Sequence, residues 1–175
     1  MAANWTAFVA GNVLEASQLN GVVDNFADIA IFNETQANGT EGGTFTSGSF
    51  VKRTLNTTVV NNITGCSIAS SVITLPAGTY FVSAIAPALQ VSNHKLRLQN
   101  TSDATTIAIG TNGSTAAANT VQTNATLVTC FTLAASKTIE LQHRCATTAA
   151  SYGLGTQNGF SVSEIYASIT IARIA

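Results

Sequence analysis

The sequence predicts an all-β fold, an antiparallel jelly-roll sandwich of about eight to ten strands behind a short N-terminal arm that contains a small helix. Three observations lead there. From residue 28 onward the chain is built of short runs rich in Thr, Val, Ile and Ala; these are separated by Gly, Asn and Ser at hairpin length; and helical spacing of apolar residues occurs only before residue 28. Short strands with short links favour antiparallel pairing, because a parallel crossover needs a dozen or more residues.

Residues 1–27 form the predicted arm, an anchoring segment. Trp5, Phe8, Val9, Val13 and Leu14 lie in an irregular stretch, and Leu19, Val22, Val23 and Phe26 follow at helical spacing. Gly21 interrupts that spacing and costs about 1 kcal/mol against Ala. Residues 28–175 form the jelly-roll domain, with strands expected at 28–36, 43–50, 65–71, 71–75, 78–90, 94–100, 106–110, 125–134, 137–145 and 159–174. Turn signals lie between them: "NGTEGG", "LPAG", "NTSD", "GTNGS" and "LAASK".

Two strands are apolar on both faces. In "EIYASITIARI" Ile165, Ala167, Ile169 and Ile171 form one face, while Tyr166, Ser168 and Thr170 on the other are uncharged. In "TYFVSAIAPAL" both parities are apolar or small. A sandwich buries one face of each sheet, so the second face needs a cover. Either a long internal loop or further copies of the chain would supply it, and further copies are the economical cover, with Tyr80, Val82, Tyr166, Ser168 and Thr170 as candidates for the interface of a homo-oligomer.

The charges exclude several functions. Seven basic and eight acidic residues are spread thinly over 175, with no basic stripe, so neither nucleic-acid binding nor membrane insertion is expected. The N-terminus lacks a basic n-region and a sustained apolar run, which predicts folding in a cytoplasm. Three cysteines spaced 64 and 15 apart form no disulfide framework and no metal-ligand pattern, and no cofactor or metal is expected.

"ELQHRC" (140–145) places His143 two residues before Cys145. Alternation turns both toward the core with Ile139 and Leu141, about 7 Å apart along the strand, too far for a nucleophile and its base without an orienting third group. A tight hairpin through "AASK" is expected to set Cys130 opposite about Leu141. No paired acids or phosphate loop mark an enzyme, so no catalytic residue is expected.

The blocks "GTEGGTFTSGSFVKRTLNT", "LPAGTYFVSAIAPA", "HKLRLQNTSD", "LQHRC" and "GLGTQNGFSVSEIYASITIARI" resemble, in the same order, a domain common at the C-terminal end of bacteriophage tail fibres. The resemblance spans roughly residues 28 to 175, with Phe50 standing where a Trp is more usual after "SG". That domain is similar to the trimeric jelly rolls of the tumour necrosis factor and complement globular-head class. Trp5, Gly11, Leu14, Ala16, Leu19 and Asn20 resemble, more loosely, an opening found on small phage virion proteins.

The resemblance implies a non-enzymatic virion structural protein, a homotrimeric β-knob on the particle surface, assembled in the host cytoplasm. Its virion-anchor candidates are Trp5, Phe8, Val9, Val13, Leu14 and Leu19, which would contact a major capsid protein or another virion protein. Capsid decoration is favoured because no fibre shaft precedes the domain. The alternative is a short tail fibre or receptor-binding tip, whose loop residues Glu41, Asn112, Tyr152, Gln157 and Asn158 would touch a host receptor or glycan. A surface-polysaccharide hydrolase is a distant third.

Overall fold

The computed structural model describes residues 28–116 and 121–174. The N-terminal segment 1–27, with the helix expected there and all six anchor candidates, lies outside the described residues. Among these, eleven strands and no helix are present: β1 (Ile29–Gln36), β2 (Val51–Lys52), β3 (Thr57–Asn61), β4 (Ser67–Ala69), β5 (Val72–Leu75), β6 (Gly78–Ala88), β7 (Ser92–Asn100), β8 (Thr105–Thr115), β9 (Thr123–Leu133), β10 (Lys137–Cys145) and β11 (Glu164–Arg173). They form a five-stranded sheet in the order β3-β1-β11-β6-β9 and a six-stranded sheet in the order β4-β5-β10-β7-β8, with β2 also paired to β10. Every named strand pair is antiparallel.

The core lies between the sheets. Phe32, Tyr80, Val82, Ile169 and Ile171 enter it from the five-stranded sheet, and Ile73, Leu96, Leu98, Ile139 and Leu141 from the other, all fully buried. Each large aliphatic side chain removed from water contributes about 1.5 to 3 kcal/mol. A smaller cluster of Phe45, Ala88, Val91, Cys145 and Ala149 closes one end.

Several expectations change. "TTVVN", outside the expected strands although its Thr and Val favour one, forms the edge strand β3 beside β1. Residues 43–50 are mostly loop, tied down by the bridge between Phe45 and Ala149. "GTNGS" lies within β8, where Gly113 stands opposite His94. β9 and β10 do not pair: β9 runs beside β6 and β10 beside β7, in different sheets, with Cys130 opposite Phe81. The "AASK" link crosses the edge of the sandwich, as neighbouring strands of a jelly roll can do.

The interface candidates Tyr80 and Val82 also change sides. Both face the core, so the opposite parity of β6, Phe81, Ser83 and Ile85, is the outward one. With both parities apolar, alternation defines two faces without saying which turns inward.

One end of the sandwich gathers the loops 37–50, 89–91 and 146–163. They are linked by backbone bonds from Gly42 N to Gly155 O (2.9 Å), Leu89 N to Gly153 O (3.2 Å) and Thr147 N to Val91 O (2.9 Å). The opposite end holds Asp28, whose carbonyl accepts from Arg173 N at 2.9 Å.

Candidate functional site

The first cluster of polar groups is largely buried. Odd residues of β10 and even residues of β7 point into the core, which buries both histidines of the chain. His143 Nε2 lies 3.0 Å from His94 Nδ1, and His94 Nε2 lies 2.8 Å from Thr123 Oγ1. The ring of Phe45 packs against His143 at 4.6 Å between centroids. Burial, with the charge of Arg53, lowers His94 to about 4; burial, Arg53 and His94 together lower His143 to about 2. Both rings are therefore neutral at pH 7 and cannot serve as a charged acid. Cys145 Sγ donates to Phe45 O at 3.8 Å rather than to His143, and burial pushes its thiol up to about 11. A nucleophilic thiolate needs the opposite shift.

Arg53 is wholly buried, although it follows the exposed Lys52. Its Nη2 donates to Glu34 Oε2 at 2.6 Å and to Leu154 O at 3.3 Å. Burial raises the Glu34 carboxyl despite the guanidinium beside it. The pair ties β1 to the residue after β2 and to the 146–163 loop.

A cleft of about 820 Å³ opens on the outward face of the six-stranded sheet. Phe50, His94, Lys95, Asn112, Ser114 and Arg144 are among its lining residues. Gly113 has to be glycine, because a Cβ there would meet the His94 ring at 2.5 Å. Lys95 and Arg144 are direct partners across β7 and β10, and Arg97 follows on the same face with its guanidinium 4.2 Å over the Phe50 ring. Arg97 Nε donates to Gln142 Oε1 at 2.7 Å, and Gln142 Nε2 to Glu140 Oε2 at 2.7 Å. Glu140 in turn lies 3.8 Å from Lys52 Nζ.

The outward face of the five-stranded sheet has the opposite character. Ile31, Ser168, Thr170, Ser83, Val128 and Cys130 lie across it, and no exposed outward position of the sheet from β3 to β9 carries a charge, Glu164 at the start of β11 being buried. Phe81 is 38 % exposed, Ile85 41 % and Val128 65 %, values that place three large apolar groups in water in the single chain. Tyr166 has the same parity along the chain, but the register of β1 on β11 shifts between Asn33 and Thr35, and beyond that shift Ile165 is exposed while Tyr166 is buried against the loops 37–43 and 153–160. Its hydroxyl donates to Thr40 O at 2.6 Å, and a Cβ on Gly155, whose φ is +132°, would strike its ring.

The loop candidates separate. Glu41 and the main chain of Gln157 and Asn158 fasten loops: Glu41 Oε2 accepts from Gln157 N at 2.9 Å, and Glu164 Oε2 accepts from Asn158 N at 3.1 Å. Backbone donation from Gly159, Asn158 and Gly39 also holds the Glu164 carboxyl below the usual range. Tyr152 donates to Gln90 Oε1 at 3.0 Å. Asn112 belongs to the cleft, opposite Lys95. Arg144, Lys95 and Phe50 are the cleft residues that sequence reasoning missed; the parity of "HKLRLQN" and "ELQHRC" already put their cations on one face.

No family model and no curated protein matches the chain. Among solved structures it is similar to the globular domain of the zebrafish complement 1qA protein, with 13 % identity and a TM-score of 0.52, over 84 % of this chain and 95 % of that one. The chain has the C1q-like jelly-roll fold. It is also similar to murine APRIL at pH 8.5, with 9 % identity and a TM-score of 0.50, over 82 % and 98 % of the two chains. In this C1q-like sandwich the charged cleft and the uncharged face lie on opposite sheets.

Proposed function

We propose that the chain is a structural protein of a bacteriophage particle, a homotrimeric β-knob attached through residues 1–27 and serving as a capsid decoration. The observation that carries the trimer is the uncharged outward face of the five-stranded sheet. Exposed apolar patches on this scale belong to association surfaces, and depletion of charge is what marks the centre of one. Phe81, Ile85, Ser168 and Thr170 would be covered in the assembly. The phage assignment rests on the ordered blocks of sequence described above.

Light scattering should give three times the 18.0 kDa chain mass. Phe81→Glu with Ile85→Glu should reduce it to the single mass with the circular dichroism spectrum unchanged, since both positions are exposed in the single chain. Cys130, on the same face, should resist a thiol reagent in the trimer and react in that variant. A wild-type monomer, or a variant that stays trimeric, would remove this interface.

Deleting residues 2–20 should abolish attachment to particles while the knob remains folded, and retained attachment would eliminate the anchor. Gold labelling on intact virions should fall on the head. Labelling at the tail tip would instead favour receptor binding, a reading supported by the cleft and by the loops lying at the end remote from Asp28.

A further inference from the structure

We propose that the cleft on the six-stranded sheet binds an acidic saccharide, with the negative group held between Lys95 and Arg144. Like charges directly opposite one another in an antiparallel pair destabilise a sheet. Here Lys95 faces Arg144 across the ladder, and Arg97 lies one rung away on the same face. None of the three has a carboxylate partner among the described residues; the acid on this face, Glu140, is engaged by Lys52 and Gln142. Two of the seven cations of a chain with net charge −1, Lys95 and Arg144, thus line one opening with no ion pair among the described residues, and Arg97 stands beside them. The Phe50 ring accounts for the position of Arg97, whose Cζ is 4.2 Å from its centre, while Arg144 Cζ lies 6.0 Å from the same centre, at the outer limit of such a contact, which leaves most of the Lys95 and Arg144 repulsion in place. A bound anion would relieve it.

The size and the remaining lining select the class of anion. At about 820 Å³ the cleft exceeds what one inorganic ion fills and lies within the range of small-molecule sites. Ser47, Asn93, Asn112 and Ser114 supply neutral donors and acceptors around the cations, and the half-buried Phe50 supplies an apolar surface. Hydroxyls around a charged group on a ring with an apolar face match that set; a bare anion uses only the cations. This deepens the receptor-binding reading by naming a ligand class. The cleft is nevertheless separate from the trimer face, so saccharide binding and oligomeric state fail independently.

The test is isothermal titration of the full chain at low salt with hexagalacturonate, sulfated maltohexaose, neutral maltohexaose and a dT hexamer. At least one acidic sugar should bind, the carboxylated or the sulfated probe identifying the charged group. The neutral sugar and the dT hexamer should bind at least about tenfold more weakly. Lys95→Gln with Arg144→Gln should weaken binding of the acidic sugar by roughly tenfold to a hundredfold, the effect of losing charge-assisted hydrogen bonds. The same variant should keep the wild-type mass and unfold at an equal or slightly higher temperature, because the facing charges are gone. The proposal is overturned if neither acidic sugar binds at about 5 mM, if the neutral sugar or the dT hexamer matches them, or if the double variant binds like wild type.

Discussion

Arg53→Met is expected to lower the unfolding free energy by about 3 to 5 kcal/mol, read from urea denaturation at pH 7. The guanidinium is fully buried and its partner Glu34 is 2 % exposed, so truncation strands a carboxylate in the core. Loss of the Leu154 contact also frees the loop over the core end. Glu34→Leu together with Arg53→Met should cost far less than either change alone, because Arg53 Nε and Nη1 find no partner among the described residues and the pair is not fully satisfied. A single-variant cost below about 1 kcal/mol would show that the charge relaxes into water.

Acid should unfold the domain through its histidines. Each has an ordinary value near 6.5 when unfolded and a depressed one in the fold, about 4 for His94 and about 2 for His143. Between those values the unfolded chain binds more protons, so stability is complete above about pH 6.5 and declines as pH falls. Each histidine removes up to about 1.4 kcal/mol per pH unit, or about 5 kcal/mol for both by pH 4.5. Protonation of Glu34, whose carboxyl is raised in the fold, offsets part of this. The total is comparable to the whole stability of a small domain. Imidazole C2 proton resonances followed from pH 7.5 to 5.5 should stay flat for both residues; a midpoint near 6.5 for either would refute the buried chain.

Much of this architecture is legible in the sequence, since alternation and turn residues are local signals. The parity of "TIELQHRC" correctly turns His143 and Cys145 inward, and β1, β6, β7 and β10 lie close to where their apolar runs predict. Pairing is not local. "AASK" is short enough for a hairpin yet joins two sheets, because the jelly roll pairs strands distant in sequence. The Glu34–Arg53 pair has a readable signal: Glu34 shares the face of Ala30 and Phe32, and Arg53 that of Val51 and Leu55. A lone acid and a lone base, each on an apolar face, are candidates for one another. The His94 contact had no such signal, being set by the register of β7 on β10.

The first and last strands described lie side by side in the middle of the five-stranded sheet, with Ile29 opposite Ala172. During synthesis β3-β1 and β6-β9 are therefore two separate fragments, each with an unpaired edge, until β11 emerges to join them. Non-local closure of this kind places folding in the millisecond-to-second range rather than the microseconds of helical domains. Until then the growing chain exposes strand edges beside apolar surface, the state most prone to aggregate. Expression yield should accordingly depend on chaperone capacity more than on the stability of the finished knob.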